Sequence, residues 1–84
     1  MEIFFKEIEN KLKKEISIES IRIIDNSHKH SKHKFFDKDK FHLKLIISSK
    51  ELLKIQKIKA HRKIMNILKS DIREKIHALE IEIN

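Results

Sequence analysis

A chain of 84 residues without a single glycine or proline has few ways to reverse direction. Glycine supplies the left-handed conformations of many tight turns and proline pre-sets others, so Asn26, Asp37 and Asp39 are expected to do the turning here. The elements between the turns follow from apolar periodicity. Residues 2–14, "EIFFKEIENKLKK", place Phe4, Ile8 and Leu12 at i, i+4 spacing, which predicts a helix with one apolar stripe. Its acids Glu2 and Glu7 come early while Lys11, Lys13 and Lys14 come late, which complements the helix dipole. Residues 20–25, "SIRIID", alternate Ile21 and Ile23 with Ser20 and Arg22 and predict a strand. In "FHLKLIIS", 41–48, Phe41, Leu43, Leu45 and Ile47 share one face and His42 and Lys44 the other, so a second strand is expected.

Ser48 and Glu51 have the spacing of a capping box, which predicts a helix start there. Further on, Ile58, His61, Ile64, Met65 and Leu68 mark the expected buried face, with Lys59, Arg62, Lys63 and Lys69 elsewhere. "IHALEIEI", 76–83, alternates again and reads as a third strand. The order is helix, strand, strand, helix, strand: a small α/β (α+β) domain spanning 1–84, with a three-stranded mixed sheet and helices on one face. The helix between the last two strands predicts a right-handed crossover that sets them parallel.

A domain of this size buries only about 60–65% of its unfolded surface, so its core is thin. There is no cysteine, hence no disulfide and no thiolate for zinc, an iron–sulfur cluster or nucleophilic catalysis. No apolar run approaches the ~20 residues of a membrane span, and no signal-peptide pattern opens the chain, so a cytoplasmic protein is expected. The formal net charge of +7 permits nucleic acid or an acidic partner. Nearly all of it is lysine beside abundant isoleucine, the bias an A+T-rich genome imposes on any protein. No glycine loop can cradle a phosphate, and no serine–histidine–acid set or paired carboxylates stand in recognisable context, so an enzyme is not expected.

The six histidines are the remaining chemistry. Four of them, His28, His30, His33 and His42, fall in "HKHSKHKFFDKDKFH", 28–42, between the first two strands. Loop imidazoles can supply neutral nitrogen ligands to a metal; the competing reading is a solvated basic loop. His61 falls on the apolar helix face and reads as a satisfied core histidine. His77 shares parity with Leu79, Ile81 and Ile83, and from periodicity alone it reads as half-buried.

Four segments in order, "IRIIDNSHKHSKH" (21–33), "FHLKLIIS" (41–48), "KAHRKIM" (59–65) and "IHALEI" (76–81), resemble the BolA family over nearly the whole chain. The family fold is similar to a class II KH domain and agrees with the order above. Leu52 and Lys54 stand where the family commonly has an aromatic and a glycine, and its arginine–histidine–arginine signature reads Ala60-His61-Arg62. The loop lacks the usual glycines.

The resemblance implies a non-enzymatic partner of monothiol glutaredoxins that shares a glutathione-ligated 2Fe-2S cluster with them. Glutaredoxin and glutathione would supply the thiolates, and this chain would supply His77 and a loop histidine. For the latter His33 is the first choice, His30 the second and His42, at the end of the loop, the third. Imidazole can replace two thiolates on one iron, so a chain without cysteine can complete a cluster that it cannot hold alone. The alternative is a DNA-binding transcriptional regulator using Lys57, Lys59, Arg62 and Lys63 on phosphates. The Gly-x-x-Gly clamp of KH-type RNA binding is absent.

Overall fold

The computed structural model describes residues 3–27 and 40–84. Helix α1 (Ile3–Glu15) precedes strands β1 (Ser20–Asp25) and β2 (Phe41–Ser48). Three helical segments follow, α2 (Lys50–Leu53), α3 (Lys57–Ile67) and α4 (Lys69–Glu74), before strand β3 (Ile76–Ile83). Strand order is β1-β2-β3, with β1 antiparallel and β3 parallel to the central β2. All three strands fall where alternation placed them. The expected single helix between β2 and β3 is instead three pieces, broken at Lys54–Gln56 and again at Leu68. Among the described residues no helix is long and apolar enough to cross a membrane.

One face of the sheet, carrying Leu43, Leu45 and Ile47, packs on Phe4, Phe5, Ile8 and Leu12 of α1 together with Leu52, Ala60, Ile64 and Leu68. The stripe predicted for the first helix is the buried one. The face predicted for α3 is rotated. Ile58 and Met65 are 58% and 41% exposed, whereas Ala60, Ile64 and Leu68 are at most 1% exposed. Ala60, Ile64 and Leu68 stand at i, i+4, i+8, a stripe hidden from a reading weighted by large side chains because it begins with alanine. Lys11 of α1 pairs with the buried Asp71 of α4 at 2.7 Å and ties the two helices together.

Turns are made without glycine, and no described residue has a positive φ. Asp25 does part of the work expected of Asn26: its carboxylate accepts the Ser27 N–H at 2.9 Å, an Asx-type turn. Asp37 and Asp39 lie outside the described residues. At α2 the cap is Ser49, not Ser48. Ser48 ends β2 as a paired residue, opposite Ser20, so its backbone is committed to the sheet. Ser49 Oγ accepts the Leu52 N–H at 3.1 Å and donates to the Ser17 carbonyl at 2.7 Å. Glu51 turns to the same segment, accepting the Ser17 N–H at 3.1 Å. Removing the hydroxyl strands the buried Leu52 N–H and takes a donor from the Ser17 carbonyl. Ser49→Ala is therefore expected to destabilise the domain by about 1–2 kcal/mol, read as a lower denaturant midpoint with an unchanged slope.

The Ser17 N–H bond, helped by Lys63, holds the Glu51 carboxyl below its ordinary value of 4.5. A depressed carboxylate stabilises the fold above its unfolded pKa, and that contribution disappears as pH falls through the lower folded value. The acid limb of the stability curve should begin below about pH 4.5 and be shallower in Glu51→Gln, as acid titration followed by circular dichroism would record. Glu51 is solvent-accessible, so the effect is small.

Candidate metal centre

The start of β2 is anchored by aromatic packing. Phe41 stacks on Phe4 at 5.3 Å between ring centroids and meets Phe5 edge-on at the same distance. Its N–H donates to the Lys75 carbonyl at 2.8 Å, which brings the beginning of β3 alongside. Phe41 then pairs with the buried Ile76, but the next pair is His42 with Ala78 and the one after it Leu43 with Leu79. One residue of β2 thus faces two of β3, His77 and Ala78. This is a β-bulge, a device that re-aims a side chain and is frequent beside functional sites.

The bulge corrects the periodicity reading of His77. Counted back from Leu79, His77 has core parity; in the structure Ile76 takes the core position and His77 is exposed. Its ring lies against that of His42, 5.0 Å between centroids and tilted by 37°. Alternation along a strand holds only while pairing is one to one, and the extra residue ended it here.

His42 has the parity expected, opposite to Leu43, yet it is only 7% exposed. It belongs to the central strand, not to a loop end. Its N–H donates to Ser27 Oγ at 3.1 Å, its carbonyl accepts the Asn26 N–H at 2.7 Å, and the His77 ring covers one side. Further along the same face Lys44 sits 3.4 Å from both Glu80 and Glu82. These carboxylates, Glu80 first, hold the Lys44 ammonium above its ordinary range. On this strand face the Lys44 ammonium is therefore charge-compensated by the two carboxylates.

Of the candidate ligands, the structure brings together His77 and His42; His30 and His33, with His28, lie outside the described residues. Among the described residues no group of three or more histidine or acidic side chains converges as a cage for a metal ion. The described part of the site is a pair of imidazoles, one open and one buried. Nitrogen donors of this kind suit the borderline and soft metals and can stand in for thiolate on iron.

His61 is half-buried on α3, and its Nε2 is buried with no hydrogen-bond partner among the described residues, so the expectation of a satisfied core histidine is corrected. The residues of the nucleic-acid reading, Lys57, Lys59, Arg62 and Lys63, are all exposed on α3. Lys59, Arg62 and Lys63 share one side at i, i+3, i+4 spacing. Lys63 is engaged by Glu51 at 3.3 Å, and Lys57 instead lines a groove with Leu52, Leu53, Ile55, Ala60 and Ile83.

Known proteins bear on this arrangement. The model of the BolA-like protein family matches residues 12–84. Among solved structures, the BolA domain of SufE1 from Arabidopsis thaliana is similar with a TM-score of 0.83 and 27% identity, over 100% of this chain and 93% of that one. BolA1 from Arabidopsis thaliana gives 0.81 and 26%, over 99% and 92%. BolA1 from Mus musculus shares the fold at 0.76 and 20% identity, over 98% of this chain and 64% of that one. A sequence comparison with curated proteins finds no match. The family match covers most of the chain, including both histidines of the bulge: the chain belongs to the BolA-like protein family.

Proposed function

We propose that this BolA-like chain is a non-enzymatic adaptor that binds a monothiol glutaredoxin. It shares that partner's glutathione-ligated 2Fe-2S cluster and contributes histidine ligands in cluster trafficking or in iron and redox regulation. The observation that carries the reading is His77, lifted out of the core by the bulge and presented to solvent in a chain with no thiolate of its own. His77 supplies one ligand and His33, His30 or His42 the second. When bound, the cluster brings the redox-active iron. The chain's part is to offer imidazole nitrogens, which bind metal only in their unprotonated form.

The test combines the protein with a monothiol glutaredoxin, glutathione, iron and sulfide. Visible absorption and circular dichroism are then compared with those of glutaredoxin alone. A distinct spectrum and a heteromeric complex on gel filtration are expected. The isolated chain should purify colourless and should not retain iron and sulfide after reconstitution. Stoichiometric iron and sulfide on it without a partner would contradict the adaptor reading. The second reading, binding to DNA, is favoured by the exposed Lys59, Arg62 and Lys63 face. Contacts of that kind release counterions without reading bases, so any binding should be weak, sequence-tolerant and steeply salt-dependent. A preference above about a thousandfold for one sequence would reverse the ranking.

A further inference from the structure

We infer that His42 is the positioning residue of His77: its buried ring is the platform that holds the exposed imidazole in its presenting orientation, and it is not itself an iron ligand. The inference rests on the adaptor reading for what His77 binds, but its structural content stands apart from it. Three observations meet at this pair. His42 opposes both residues of the bulge, so wherever β2 goes at this point the bulge follows. It is fixed by its own backbone, through the Ser27 hydroxyl on its N–H and the Asn26 N–H on its carbonyl, and by Phe41 one residue earlier in the aromatic cluster. Finally, the two rings are in contact at 5.0 Å but unequal in exposure. His42 is 7% exposed although it lies on the sheet face opposite Leu43, and His77 is open.

A ligand to a cluster carried by another protein has to reach that protein's surface. His77 does so. His42 can support it by restricting where the neighbouring ring swings. A bulge residue at the end of an edge strand otherwise keeps its rotamer freedom, and binding has to remove it. Residues that orient a metal ligand from behind typically matter by about 10–100-fold in metal affinity. The division of labour leaves the second ligand position to His33 or His30.

The discriminating experiment compares His42→Phe, His42→Ala, His77→Ala and the wild type as intact chains. Phenylalanine keeps a flat ring and offers no nitrogen. In the glutaredoxin mixture His42→Phe should keep the wild-type cluster dichroism with affinity within about threefold. His42→Ala should weaken the cluster by about 10–100-fold, and His77→Ala should abolish its contribution. In the isolated chains, the ring protons of His77 observed by NMR should keep their ring-current-shifted positions in His42→Phe and move toward free-histidine values in His42→Ala. Loss of the cluster in His42→Phe as complete as in His77→Ala would make His42 a ligand and overturn the inference. An unchanged cluster and unchanged His77 resonances in His42→Ala would overturn it as well. If the wild type gives only the glutaredoxin spectrum, the adaptor reading fails, while the NMR comparison still decides whether His42 positions His77. Thermal melting of each variant confirms that folded protein is being compared.

Discussion

His77→Ala is expected to leave the domain folded and to remove the chain's contribution to a cluster shared with glutaredoxin. The side chain is exposed and sits in a bulge, so truncation removes little packing, and the melting temperature should stay within a few degrees of the wild type. The mixed cluster should revert to the glutaredoxin-only spectrum, because no cysteine is present to take the vacant position. Had the strand kept simple alternation, His77 would face the core beside Leu79. The same substitution would then lower stability by roughly 0.5–3 kcal/mol and leave the cluster alone. Melting and visible circular dichroism on one variant therefore separate the two arrangements. A destabilised protein with an unchanged cluster would remove His77 from the site.

The largest effect on stability is expected from Ile64→Ala, set against Ile58→Ala on the same helix. Both remove the same atoms. Ile64 is fully buried between α1, the sheet and the neighbouring helices, so its truncation loses transfer energy and leaves a cavity, costing about 2–5 kcal/mol. A domain of this size has on the order of 5–10 kcal/mol to lose, and a variant this weak should be partly unfolded at moderate temperature. Ile58 is 58% exposed, and its truncation should stay within about 0.5 kcal/mol. Urea unfolding of the pair measures the contrast directly. Equal losses would restore the helix face that large-residue periodicity predicts.

These two contrasts also mark where the residues of the chain speak for themselves. Strand positions 20–25, 41–48 and 76–83 were legible because each is short and alternating, and the α1 stripe of Phe4, Ile8 and Leu12 because its apolar residues recur every fourth position. The parallel pairing of β2 and β3 followed from the helical connection between them. Where a small or polar residue decided the matter, the pattern misled. Ala60 begins the buried stripe of α3 but carries too little surface to announce it. Ser48 has the better capping-box spacing but is held in the sheet opposite Ser20, and Ser49 caps instead.

The site divides the same way. Absence of cysteine and possession of histidines at 42 and 77 are properties of the chain by itself, and they make imidazole the donor that can stand in for a thiolate. Their meeting is not. His42 and His77 are 35 positions apart, and they touch because Phe41 and Ile76 are drawn into one core and the backbone of β3 must absorb an extra residue immediately afterwards. Local composition determines which chemistry a chain can offer. Whether a histidine becomes core, platform or ligand depends on a one-residue slip in strand pairing, and that is decided only when packing on both sides of the slip is satisfied together.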